Sequence, residues 1–212
     1  MTEHAFEPMR RAMVASQLRT TGVNDPRVIA AMGEVARERF VPAERCALAY
    51  ADALVPLGNG RALNPPMATG RLLTEARLAG GERALVIGAA TGYSATLLAG
   101  LVASVVALEE DADLIAQAKA AEVVLVKGPL AKGWPKRAPY DFILIDGAVE
   151  HVPQAIVDQV ADGGQVAFAL LDRGVTRLAI GRVVGDALGI TVYADAAAAI
   201  LPGFEKPRGF SF

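Results

Sequence analysis

The residues of this chain whose types and spacing suit ligand binding are a small-residue turn and an acidic position that follows it. Residues 88–92 read Gly-Ala-Ala-Thr-Gly between two apolar stretches, and a later apolar run is closed by Glu109 and Glu110. A turn with little side-chain bulk can present backbone N–H groups to a ligand. A carboxylate about twenty residues further on can accept hydrogen bonds from ribose hydroxyls. This spacing favours a nucleoside site over the alternative, a structural βαβ unit with a solvated acidic pair.

The elements that would position these groups alternate between strands and helices. Residues 84–87 are apolar without alternation, which is typical of a parallel strand that is covered on both faces. Residues 93–101 suit a helix, and residues 105–108 suit a second strand. Further strands are predicted at residues 123–126, 140–145, 165–170, 177–184 and 190–194, with helices near residues 111–121 and after Pro153. This order predicts an α/β fold with a mostly parallel sheet and helices on both faces.

The first 80 residues have a different pattern, which predicts a helical cap. A helix is expected over residues 5–18 with Gly22 as its stop, and a second begins at Asp25-Pro26, a favourable capping pair. Residues 54–66 are rich in glycine, proline and asparagine, which predicts a long irregular connection, either functional or a surface wrap. A third helix is expected over roughly residues 68–79. We predict one domain over residues 1–212, with the α/β core at residues 81–212.

Composition excludes several function classes. The chain has 212 residues, is 53% hydrophobic and has a net charge of −2, so we expect a folded domain rather than a nucleic-acid binder. Cys46 is its one cysteine, which fits a reducing compartment. The two histidines exclude a histidine-rich metal site, and no metal is predicted. Apolar runs are too short for a signal peptide or a membrane span, so we expect a cytoplasmic protein without a membrane partner. Composition leaves the oligomeric state open.

Three features are expected to converge at the carboxyl ends of the central strands, where such folds bind ligands. They are the turn at residues 88–92, Glu109, and Asp146 with Gly147. Ala90 occupies the second glycine position of the dinucleotide fingerprint, and no Walker lysine motif is present, so phosphate-bearing cofactors are disfavoured. A nucleoside without phosphates, such as S-adenosylmethionine, fits better. Methyl transfer from its sulfonium mainly requires that donor and acceptor are aligned.

An ordered series of short motifs carries a family resemblance along nearly the whole chain. The chain resembles the protein-L-isoaspartate O-methyltransferases at Met13-Val14 with Gln17-Leu18, Arg37-Glu38 with Phe40-Val41-Pro42, Pro56-Leu57-Gly58 with Gly60, and Ala138-Pro139-Tyr140-Asp141. The resemblance implies a class I methyltransferase, Rossmann-like fold with a seven-stranded sheet, and S-adenosylmethionine as cofactor. It also implies methylation of L-isoaspartyl carboxylates, which starts the repair of damaged proteins. Proteins or peptides with isoaspartyl residues would then be the partners.

Site residues follow from the resemblance by position. The cofactor would be held by Gly88, Ala89, Ala90, Thr91, Gly92, Tyr93, Glu109 and Asp146. A substrate loop within the cap region would contribute Arg61, Ala62, Leu63 and Asn64. Asn64 would be the catalytic residue and would position the substrate carboxylate through its amide, because direct transfer needs no general base.

Two alternatives remain at this point. The positions that depart from the family's pattern include Asn64, Val86, Ala90 and Pro129. They motivate a catalytically silent relative with a binding or scaffold role. Arg61 and Asp146 motivate a methyltransferase with a different acceptor. Residues 202–212 are expected to pack back on the sheet, the alternative being that they dock a partner.

Overall fold

The structure, a computed structural model, describes residues 5–119 and 122–206. Its helices are α1 (Glu7–Ala12), α2 (Pro26–Glu34), α3 (Pro66–Ala76), α4 (Tyr93–Ala99), α5 (Ala112–Gln117) and α6 (Gln154–Val157). Its strands are β1 (Val55–Gly58), β2 (Arg61–Leu63), β3 (Arg83–Ile87), β4 (Ser104–Glu109), β5 (Val124–Lys127), β6 (Tyr140–Val149), β7 (Val160–Asp172), β8 (Val175–Val184) and β9 (Ala187–Asp195). Strands β1 and β2 form an antiparallel hairpin, and the other strands form one seven-stranded sheet.

The seven-stranded sheet has the order β5-β4-β3-β6-β7-β8-β9. The pairs from β5 to β7 are parallel, whereas β8 and β9 are added antiparallel. The strand order reverses at β3, which lies between β4 and β6, and a reversal of this kind opens a crevice at the carboxyl ends of the strands. The predicted α/β class and mostly parallel seven-stranded sheet are confirmed.

Both faces of the sheet are covered, as the non-alternating apolar pattern of β3 predicts. Ala84 and Val86 face a core that is shared with the N-terminal helices, α3 and α4. Leu85 and Ile87 face a second core on the other side, where α6 and the segment with Leu201 and Phe204 pack. The sheet therefore supplies a rigid floor whose carboxyl edge can be shaped by loops.

Helix α2 begins at the capping pair that the sequence predicts. Asp25 Oδ1 accepts hydrogen bonds from the backbone N–H groups of Arg27 (2.8 Å) and Val28 (3.4 Å), and Pro26 begins α2. Gly22 has a φ of +90°, a left-handed conformation that glycine adopts at low cost, and it ends the preceding helical segment. Met13 and Met32 are buried in the core shared with β3. That residues 1–80 and 81–212 form a single domain stays a prediction.

Three local expectations were wrong. Residues 54–66 contain the hairpin β1–β2 rather than an irregular connection, and Asn59-Gly60 form its turn with φ of +50° and +73°. An Asn-Gly pair is a strong hairpin signal, because both residues tolerate positive φ. The helix after Pro153 is only α6, and β7 already begins at Val160, before the glycines expected to precede it. Strand β6 also runs on through Asp146 to Val149.

One predicted helix and the predicted C-terminal segment extend beyond the described residues. The predicted helix over residues 111–121 ends at Gln117, and residues 120–121 lie outside the described residues. Of the C-terminal segment, Phe204 is buried in the second core, which agrees with the expected return to the sheet, while residues 207–212 lie outside the described part. Among the helices of the described residues, none has both the length and the apolar character required to cross a membrane.

Candidate functional site

The turn between β3 and α4 lies at the carboxyl edge of the sheet, and its own chain satisfies most of its backbone N–H groups. The N–H groups of Gly88 and Ala89 both donate to the Leu108 carbonyl at 3.0 Å. Gly92 N–H donates to the Ala89 carbonyl at 2.8 Å. The N–H of Ala90 donates to Glu109 Oε2 at 2.7 Å. The turn is therefore tied to the end of β4 rather than open as a cradle.

Ala90 takes a backbone conformation that normally favours glycine. Its φ is +49°, in the left-handed region, and its side chain is buried. A Cβ in this region costs roughly 1–2 kcal/mol. This cost gives a physical meaning to the departure noted in the sequence, because a glycine at this position would take the same conformation without strain.

Glu109 is fully buried at the end of β4, so the alternative of a solvated acidic pair is wrong for this residue. Its Oε1 accepts hydrogen bonds from the N–H groups of Glu110 (2.9 Å) and Asp111 (3.1 Å). Arg61, on β2, completes the set with an ion pair in which Nη1 lies 2.7 Å from Oε1. Arg61 is only 6% exposed, and its Nη2 donates to the Gly88 carbonyl at 3.2 Å. Arg61, which was predicted to bind the substrate, thus binds Glu109, which was predicted to bind the cofactor.

Asn64 and Asp146 form a second buried contact at the same edge. The Asn64 amide donates to Asp146 Oδ1 at 2.8 Å and to the Asp146 carbonyl at 3.1 Å, so both of its N–H bonds are used. Its Oδ1 accepts from the N–H of Ala199 at 2.8 Å. Burial raises the pKa of the Asp146 carboxyl, although its hydrogen bonds to polar neighbours and the two nearby arginines oppose that rise.

Arg37 is a buried charge that the sequence reasoning did not single out. Its Nε donates to the Ala49 carbonyl at 2.6 Å, and its guanidinium also donates to the Asn64 carbonyl. The guanidinium carbon lies 4.7 Å from the centroid of the Tyr93 ring. Burial raises the pKa of the Tyr93 hydroxyl, with Arg37 acting against it. Arg37 therefore fixes the backbone at Asn64, and the Arg37-Glu38 motif of the resemblance was the available signal.

The other predicted site residues contribute less to this edge. Leu63 packs in the core, and Ala62 is half-buried between its strand neighbours. Thr91 Oγ1 donates to the Phe40 carbonyl at 2.6 Å, toward the N-terminal helical region. The structure thus brings together Arg61, Asn64, Asp146, Glu109 and the turn, while their roles in binding stay predictions.

The segment at residues 198–201 covers the same edge, and nothing in the sequence pointed to it. It lies beside β6, where Ala148 N–H donates to the Ala199 carbonyl (2.7 Å) and Leu201 N–H donates to the Ala148 carbonyl (3.0 Å). A Cβ placed on Gly88 would lie 3.0 Å from a Leu201 methyl group. Neither Glu109 nor Asp146 lines any of five surface cavities of the described residues that have volumes of about 240–440 Å³.

Comparison with known proteins decides the family. The model of the family described as Protein-L-isoaspartate(D-aspartate) O-methyltransferase matches residues 9–178. The chain belongs to this family. It is 37% identical over 182 residues to protein-L-isoaspartate O-methyltransferase 1 of Rhodopseudomonas palustris, an alignment that covers 82% of this chain and 74% of the relative. It is 40% identical over 165 residues to the Methylorubrum populi enzyme of the same name, with 75% and 78% covered.

Solved structures agree on the fold of this family member. One protein-L-isoaspartate O-methyltransferase superposes with a TM-score of 0.79 at 22% identity, which covers 92% of this chain and 66% of the other. A second, described as such an enzyme from Plasmodium falciparum in complex with S-adenosyl-L-homocysteine, has a TM-score of 0.75 at 16% identity. That match covers 91% of this chain and 96% of the other. These likenesses confirm the class I methyltransferase fold.

Proposed function

We propose that this protein is an S-adenosylmethionine-dependent O-methyltransferase that acts on L-isoaspartyl carboxylates of damaged proteins. The match of the isoaspartate methyltransferase family model to residues 9–178 carries the proposal. The position of Glu109 at the end of β4, facing the turn after β3, supports it. This is the place at which a strand-end carboxylate binds ribose in folds of this class.

The cofactor does not fit the site as its residues are arranged here. Arg61 occupies the carboxylate of Glu109, and Leu201 lies against Gly88. S-adenosylmethionine, when bound, supplies a methyl group on a sulfonium that a carboxylate can attack without a general base. The chain's own part would be to admit the donor, hold the acceptor and exclude water.

The substrate would be a protein or peptide with an isoaspartyl residue, held beside the hairpin β1–β2. Asn64 remains the proposed positioning group for its carboxylate. Because both amide N–H bonds of Asn64 are donated to Asp146 in this conformation, Asn64 must release Asp146 before it can contact a substrate. The one cysteine, Cys46, is free, which supports a cytoplasmic location.

Transfer of a labelled methyl group from S-adenosylmethionine to a synthetic isoaspartyl peptide tests the proposal. The matched control is the same peptide with ordinary aspartate, and the matched protein control is Arg83→Gln, which removes an exposed ion pair with Asp141. We expect base-labile label in the isoaspartyl peptide only, with both proteins. A folded protein that labels neither peptide would contradict the proposal and favour the catalytically silent alternative.

A further inference from the structure

In the proposed ribose-binding carboxylate, Glu109 Oε1 already accepts three hydrogen bonds and Oε2 accepts one. An ionised carboxylate offers about four lone-pair sites. Glu109 accepts three backbone N–H groups, from Ala90, Glu110 and Asp111, and one guanidinium N–H from Arg61. Three of these donors belong to the backbone of the fold. Arg61 is the donor that a side-chain movement could remove, and until it leaves, Glu109 Oε1 has no position for a ribose hydroxyl.

The space next to Glu109 is filled as well. A Cβ on Gly88 would meet Leu201 at 3.0 Å and Arg61 Nη2 at 3.2 Å, so both side chains touch the backbone that a nucleoside would lie against. A Cβ on Gly147, in β6, would lie 2.5 Å from the Ala199 carbonyl oxygen and 2.7 Å from Leu201 Cγ. The carboxyl ends of β3 and β6 are therefore covered by the chain itself, and that of β4 by Arg61.

The two covering groups are held from different directions. Arg61 arrives on β2, whose hairpin is also fixed by Asn59, which donates to Asp111 Oδ2 at 2.8 Å. Leu201 arrives from the C-terminal side and is fixed through Ala148 on β6. Asn64 connects the two, because it follows β2 directly and accepts the N–H of Ala199. Movement of the hairpin would therefore loosen both covers.

We propose that Arg61 and Leu201 form a self-occluding latch that keeps the donor nucleoside out of the cleft, and that release of Arg61 from Glu109 opens it. This inference rests on the proposed function for the identity of the nucleoside. A ligand that binds only a minor conformation has its affinity reduced by the fraction of protein in that conformation. Weakening the latch should therefore tighten binding, the opposite of what removal of a ligand contact does.

Calorimetric titration of the full chain with S-adenosyl-L-homocysteine tests the latch without measuring turnover. The proteins are the wild type, Arg61→Gln, Leu201→Ala and the surface control Arg83→Gln, each checked for folding by circular dichroism. We expect Arg61→Gln to bind at least about tenfold tighter than the wild type. Leu201→Ala should also bind more tightly, and Arg83→Gln should match the wild type. If Arg61→Gln does not fold, Leu201→Ala decides the outcome.

Equal affinity of the folded variants and the wild type, whether tight or undetectable, would overturn the latch. So would weaker binding by Arg61→Gln, since that result would make Arg61 a ligand contact. The peptide assay separates this inference from the proposed function. If the wild type methylates the isoaspartyl peptide and neither substitution tightens binding, the proposed function stands and the latch is wrong. If the variants bind more tightly but none of the proteins methylates the peptide, the latch stands and the proposed function is wrong.

Discussion

Arg61 on β2 and Glu109 at the end of β4 form an ion pair of 2.7 Å in which the two side chains are 6% and 0% exposed. The pair connects the hairpin of the N-terminal region to the carboxyl edge of the sheet. Each charge is further satisfied by the backbone, Arg61 through the Gly88 carbonyl and Glu109 through three N–H groups. Because the pair lies next to the turn, it holds this edge in a closed arrangement.

Removing one member of this pair should destabilise the fold strongly. We expect Arg61→Gln to lower the free energy of unfolding by about 3–5 kcal/mol, because it leaves the Glu109 carboxylate buried without its countercharge. The double variant Arg61→Gln/Glu109→Gln should lose less than the sum of the single variants. Urea unfolding measures all four proteins of the cycle. Arg83→Gln removes an exposed pair and should lower the free energy of unfolding by no more than about 1 kcal/mol. An equal loss for Arg83→Gln and Arg61→Gln would contradict the conclusion that Arg61 and Glu109 form a buried ion pair.

Ala90→Gly should leave the protein as stable as the wild type or more stable. Glycine removes a left-handed penalty of roughly 1–2 kcal/mol at a φ of +49°. Because glycine is more flexible than alanine in the unfolded chain, the substitution also lowers the free energy of unfolding by about 0.4–1 kcal/mol. The control Ala95→Gly, inside α4, should lose about 1 kcal/mol. Thermal and urea unfolding compare the two, and a similar loss in both variants would show that residue 90 carries no strain.

Gly147→Ala should displace the segment at residues 199–201. The new Cβ would lie 2.5 Å from the Ala199 carbonyl oxygen, a backbone atom that cannot rotate away. We expect a loss of about 1–3 kcal/mol in the free energy of unfolding, with faster hydrogen exchange at the Leu201 amide. Gly81→Ala is the control, because a Cβ there has no atom within 4 Å. Unchanged exchange at Leu201 would contradict the close contact between β6 and this segment.

Asp146→Asn and Asp141→Asn should change stability with opposite dependence on pH. Burial raises the pKa of Asp146, so the ionised carboxylate is disfavoured in the folded state and stability is lost as pH rises from the usual value of 3.8 toward the raised pKa. Asp146→Asn removes this loss, so its stability relative to the wild type should improve over that window.

The pKa of Asp141 is shifted in the opposite direction. The backbone N–H of Arg83 holds its pKa below 3.8, so the carboxylate contributes stability above that value, which disappears as pH falls through the lowered pKa. Asp141→Asn should therefore be destabilised at neutral pH and approach the wild type in acid. Urea unfolding across this pH range measures the stability of both variants. Parallel pH profiles of stability would contradict the opposite pKa shifts of Asp146 and Asp141.

Local sequence patterns were sufficient to predict those structural elements whose signal lies within a few consecutive residues. The buried run of β3, the capping of α2 by Asp25 and the tight turn before α4 all appear where the sequence predicts them. The hairpin at residues 55–63 was also readable, since Asn59-Gly60 carries its turn, but the surrounding prolines and glycines favoured an irregular connection. The approach of Leu201 to Gly88 joins residues 113 positions apart in the numbering, and no local pattern reports on it.

The sequence by itself determined the α/β fold, the family and several of the residues that meet at the carboxyl edge of the sheet. It could do so because periodicity, caps and motif order depend on near neighbours along the chain. Only the tertiary structure decided which of those residues bind one another. Arg61 could have faced a substrate and Glu109 a ribose, but both charges are buried at one edge, where each would be costly without the other. That pairing, together with Leu201, determines whether the cleft is open.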